Sequence, residues 1–87
     1  MIQLPTLCGT RESAAQLFTG ISNEDSPLIS LIGVQATAQG FVDELCKQLI
    51  DRRINVVTFL QPSEKFLEYF MRAHRLRSAK FSVSWRD

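Results

Sequence analysis

The strongest constraint on this chain is residues 28–60, where two apolar runs flank one amphipathic stretch. The first run, Leu28-Ile29-Ser30-Leu31-Ile32, breaks at Gly33, and a small, polar turn follows over residues 35–40. Phe41, Val42, Leu45, Cys46, Leu49 and Ile50 then recur with the spacing of one helical face. Asp43, Glu44, Lys47, Gln48 and Asp51 fall mostly on the other. Residues 54–60 form the second apolar run. Strand, helix and strand with short joins make a βαβ unit, whose strands lie parallel with a right-handed crossover. The rest of the chain must pack against it.

Before this unit, residues 1–8 carry Ile2, Leu4, Leu7 and Cys8 interrupted by Pro5, which suits a short edge strand or extended arm. After the Gly9-Thr10 turn, Thr10 suits a helix N-cap, with Glu12 in the first turn. Ala14, Leu17, Phe18 and Ile21 then make one apolar stripe on a helix of about ten residues, which Gly20 is placed to end. Residues 22–27 read as a surface loop. Beyond the unit, Pro62 suits the first position of a helix running to about Leu76, with Phe66, Leu67, Phe70, Met71 and His74 on its buried face. Residues 80–85 alternate with period two, as in a half-buried strand. The sequence predicts one small α/β domain over residues 1–87, in the order β-α-β-α-β-α-β, with a mixed sheet and helices mainly on one face. If Phe81, Val83 and Trp85 point inward, the last strand leaves an open edge, compatible with a monomer or a weak homodimer.

A net charge of +1 gives no whole-chain case for nucleic acid or an anionic membrane as partner. No run approaches the roughly 20 apolar residues of a membrane span. Met1 is followed by Ile-Gln-Leu-Pro, not by a basic start and long apolar run, so the expectation is a cytoplasmic protein. The two cysteines make no disulfide framework, and Cys46 on the apolar helix face reads as a buried thiol.

The residues capable of chemistry form no coherent constellation. One histidine and two scattered cysteines lack metal-ligand spacing, and Gly33 and Gly40 belong to no phosphate loop, so neither metal nor cofactor is expected. Asp43 and Glu44 are adjacent and point about 100° apart on a helix, a poor acid–base pair. His74 falls on an inward stripe. Arg11 is better placed, able to pair with Asp43 or Glu44 if the first two helices pack together. The one charge asymmetry is at the C-terminus, where Arg72, Arg75, Arg77, Lys80 and Arg86 face only Asp87. With Tyr69, Phe81 and Trp85 nearby, these residues make a nucleic-acid-binding accessory protein the alternative reading. They also suit docking to an acidic protein surface.

Three stretches together resemble the STAS-like family, small bacterial and phage-borne relatives of the domains of sulfate transporters and anti-sigma-factor antagonists. They are Gly9-Thr10-Arg11 with Ala14 or Ala15 and Leu17, Gly33-Val34 followed by Phe41-x-Asp43-Glu44-Leu45, and Val56-Val57-Thr58-Phe59-Leu60-x-Pro62-Ser63. The resemblance covers roughly residues 7–76. It implies a non-catalytic regulatory module that binds a partner protein, often a GHKL-type ATPase or kinase, through the loop before the central helix and the start of that helix. On this sequence the implied face is Gln35, Thr37, Gln39, Gly40, Asp43, Glu44 and Arg11. In the wider STAS group a phosphorylated serine in that loop breaks the complex, since a phosphate adds nearly two negative charges at an interface. Here Ala38 and Gly40 stand in the serine positions, and Thr37 carries the loop's one hydroxyl. A phage-type effector that inhibits a host protein is a further reading of the same scaffold.

Overall fold

The computed structural model describes residues 1–19 and 25–87. Its elements are β1 (Ile2–Gln3), β2 (Leu7–Cys8), α1 (Arg11–Gln16), β3 (Leu28–Ser30), β4 (Ala36–Thr37), α2 (Gln39–Asp51), β5 (Val56–Leu60), α3 (Glu64–Leu76) and β6 (Ser82–Arg86). The main sheet has the order β1-β3-β5-β6, and every neighbouring pair in it is parallel. That is narrower than the mixed sheet read from the sequence: successive strands of each sheet are joined through a helix, and such crossovers keep strands parallel. Strands taken in chain order with right-handed crossovers carry all their helices on one face. The packing agrees, with α1 against α2 and α2 against α3 in a single layer.

One covered face explains the alternation along β5, where Val57 and Phe59 are buried and Val56, Thr58 and Leu60 only partly so. Phe59 anchors α3. Its ring meets Phe66 and Phe70 edge-on at 4.8 and 4.7 Å between centroids, the geometry that aligns ring edge with ring face. Ile29, Phe41, Val42, Leu45, Cys46 and Leu49 complete the centre of the core.

Pro5 has a sharper effect than marking an edge. It divides the first segment into two short strands that pair in different sheets, β1 with β3 and β2 with β4. β4 lies within the stretch read as a turn. α1 is also shorter than its apolar stripe suggests: after Gln16 the Leu17, Phe18 and Thr19 amides bond three residues back, tightening the chain out of the α-helix. Gly20 and Ile21, assigned to that helix end, lie outside the described residues, as do residues 22–24 of the predicted 22–27 loop. Thr10 caps α1 as expected, accepting from the Ser13 amide. For α3 the cap is Ser63, whose hydroxyl accepts from the Phe66 amide at 3.1 Å, so Pro62 stands outside the helix and not at its first position.

Two core assignments change. Met71 is exposed, because Phe66, Phe70 and Ala73 set the buried line of α3 and Met71 lies at its margin. Trp85 shares a row with Phe59 yet is 52% exposed, since it sits at the carboxyl end of an edge strand with a neighbour on one side only. None of the described helices is long and apolar enough to cross a membrane.

Candidate functional site

Asp43 is the junction of the three helices. Its Oδ2 accepts from Arg11 Nη1 at 2.7 Å and from Arg77 Nη2 at 2.8 Å, and its Oδ1 accepts from Arg77 Nε at 3.0 Å. Arg11 opens α1 and Arg77 ends α3, so one carboxylate on α2 ties both. The two Arg77 hydrogen bonds, with the one from Arg11, hold the Asp43 carboxyl down at about 2 against partial desolvation. The same contact raises Arg77. At the far ends of α1 and α2, Arg52 donates to the Phe18 carbonyl at 2.6 Å and lies over the Phe18 ring. Tied at both ends, α1 and α2 run side by side in one direction.

The start of α2 divides the predicted partner face between two hollows. Gln35 and Thr37 line one of about 180 Å³, with Val34 and Ala36 of the loop, the α3 cap Ser63 and Lys65 of α3. Arg11, Gln39, Gly40 and Asp43 line the other, of about 320 Å³. Its opposite wall includes Tyr69, Arg72 and Leu76 of α3. Glu44 lines neither: it accepts from Gln48 Nε2 at 2.8 Å and lies 3.8 Å from Lys47, bound within its own helix.

The loop carrying Gln35 is held rigidly. Gln35 donates its amide to the Thr6 carbonyl at 2.9 Å and Ala38 to that of Cys8 at 2.7 Å, either side of the β2–β4 pairing. Thr37, paired with Cys8, is half-buried, whereas Gln35, Ala36, Ala38 and Gln39 are exposed. Ala38 is the N-cap of α2 and supplies no side-chain acceptor. Two large apolar side chains are exposed at this end of the fold: Leu7, in register with Ala36, at 66%, and Ile32 at 49%. Periodicity did not single these out, because in so short a strand and turn an outward apolar residue has no pattern to break.

The remaining candidates have structural partners. His74 Nε2 lies 2.7 Å from the Phe81 carbonyl, which can only accept, so Nε2 donates, and its ring packs edge-on against Phe81. Cys8 and Cys46 are both buried, and burial pushes each thiol up to about 11. No group of three or more potential metal ligands occurs among the described residues. The basic C-terminal residues are dispersed. Arg77 is committed to Asp43 and Arg72 faces the larger hollow, while Lys80 lies ahead of β6 and Arg86 closes it, the strand between them spanning roughly 13 Å. Comparison with family models, with curated proteins and with solved structures gives no match.

Proposed function

We propose that this protein is a non-catalytic interaction module that binds a partner protein through the end of the fold formed by β2, β4 and the start of α2. The observation that carries this reading is the uncharged, rigid surface of residues 34–39, hydrogen-bonded to the β2 segment, with Leu7 and Ile32 exposed at the same end. A protein interface needs such a pre-ordered surface, apolar at its centre with amide groups at its margin. The engagement of Asp43, Glu44 and His74 in internal contacts, with both thiols buried, also favours binding over chemistry. A partner of the GHKL ATPase type follows from the STAS-like resemblance alone. Thr37, half-buried and paired in β4, is poorly presented to a kinase, which favours constitutive over phosphate-switched binding.

The test is affinity capture from the native host, with nuclease added, using wild type and a Gln35→Ala/Thr37→Ala/Gln39→Ala variant. A partner identified with wild type and rebound in purified form should lose affinity for the variant while the variant's far-UV circular dichroism stays unchanged. Equal affinity for both proteins rejects this face.

A further inference from the structure

The larger hollow, on the other side of the α2 start, differs chemically from the neutral loop. Arg11 spends one hydrogen bond on Asp43 and stays 56% exposed, leaving four of its five N–H donors without a partner among the described residues. Arg72 has only a 3.8 Å approach to Glu68, longer than a hydrogen bond. Arg77 stands behind, already neutralising Asp43. Three arginines against the carboxylates of Asp43 and Glu68 leave the hollow positive in balance. Its rim is apolar, with the Tyr69 ring and Leu76 at 75% exposure.

Building on its reading as an interaction module, we infer that this hollow seats an acidic segment of the partner protein. A carboxylate lies on the free donors of Arg11 and Arg72, and a neighbouring apolar side chain of the same segment covers Leu76 and Tyr69. Guanidinium groups match a carboxylate edge through two parallel N–H bonds. The apolar rim makes a protein segment the better occupant than a free anion, which would leave Leu76 and Tyr69 wet. The two hollows then divide the work: the neutral loop supplies an apolar contact, and the arginine hollow sets charge preference and register.

The probe is an acetylated, amidated hexapeptide alternating glutamate and leucine, titrated into the ¹⁵N-labelled full chain and followed by amide chemical shifts. Saturable shifts should concentrate at Gly40, Tyr69, Arg72 and Leu76. Arg72→Glu should weaken binding by at least about tenfold, the loss expected for one charge-assisted pair. The milder Arg72→Gln should weaken it less, and each variant's own amide spectrum reports its fold. Lys80→Glu and Arg86→Glu should change little, and salt at about 0.5 M should weaken binding. Equal binding of the glutamine–leucine peptide, shifts centred on residues 34–37, or absence of saturation each overturns the inference. Inorganic phosphate reproducing the same shifts with the same affinity also overturns it, as the site would then be one for small anions. Such a failure, with captured partner still lost on loop substitution, leaves the interaction-module reading intact; loss of the loop effect with intact peptide binding rejects that reading alone.

Discussion

Arg77 holds Asp43 through two parallel hydrogen bonds, Nε to Oδ1 at 3.0 Å and Nη2 to Oδ2 at 2.8 Å, across 34 residues of sequence. Arg11 adds one more at 2.7 Å. The bidentate pair fixes the end of α3 against the start of α2 and so sets the width of the larger hollow. Arg77 is therefore a structural residue on a segment whose charge alone suggests a binding surface.

Asp43→Asn should lower stability by about 1–2 kcal/mol at neutral pH, a figure reduced from the full pKa shift because Asp43 retains some solvent contact. The sign follows from its carboxyl lying at about 2 in the folded chain against an ordinary 3.8. A depressed acid contributes above the ordinary value and loses its contribution as pH falls through the folded one. The gap between wild type and Asp43→Asn in urea unfolding should therefore narrow as pH drops from about 5 towards 2. A gap independent of pH over that window refutes the assignment.

Arg77→Ala should cost more than Arg11→Ala, because it removes two bonds from a less exposed guanidinium while Arg11 loses one from a largely exposed one. The second change should stay within about 0.5 kcal/mol. Equal urea midpoints for the two variants contradict that ranking.

Phe41→Ala should cost about 3–5 kcal/mol, since its ring is fully buried at the start of α2. That is a large share of the roughly 4–13 kcal/mol available to a domain of this size. Loss of dispersion in the amide spectrum, or a large fall in the urea midpoint, is the expected readout. A midpoint within about 1 kcal/mol of wild type conflicts with its place in the core.

Both thiols should resist an aromatic disulfide reagent at pH 8 in the native protein and react fully in denaturant. Burial raises each to about 11, which leaves little thiolate, and also blocks access. Reaction with either thiol at the rate of a free cysteine contradicts the burial.

Much of the fold was legible because its signals are long. Thirteen-residue helices with apolar periodicity, and a five-residue strand rich in β-branched and aromatic groups, declare themselves. The β2–β4 pairing did not, since two residues on each side carry no pattern and Ala36 has no strand preference. A pairing of Arg11 with Asp43 or Glu44 followed from packing one helix start on another, and Asp43 is the one that forms. Arg77 was read as part of a charge run because nothing in sequence shows that the end of α3 returns to the start of α2. The division of the predicted face into two hollows was hidden for the same reason: Lys65 and Arg72 share one face of α3 but lie about 10 Å apart along it, and each lines a different hollow.

The expected end of the last helix near Leu76 is where α3 stops, although neither α2 nor α3 carries glycine where its chain turns. Arg53 and Ser78 follow the two C-caps with φ of 55° and 53°, the left-handed conformation that glycine adopts without a Cβ penalty. At α3 the stop is complete: Ser78 donates to the Arg75 carbonyl at 3.1 Å and Ala79 to that of His74 at 2.9 Å. Ser78 therefore adopts the strained conformation while its exposed side chain makes no hydrogen bond among the described residues. Ser78→Gly should relieve about 1 kcal/mol of strain and return part of it through the greater freedom of the unfolded chain. The net gain should be a few tenths of a kcal/mol, with peptide binding at the hollow unchanged. Thermal unfolding of this variant beside Ser78→Ala separates the causes: only glycine should raise the midpoint, and alanine doing so equally means that the serine side chain, not the backbone, carried the cost.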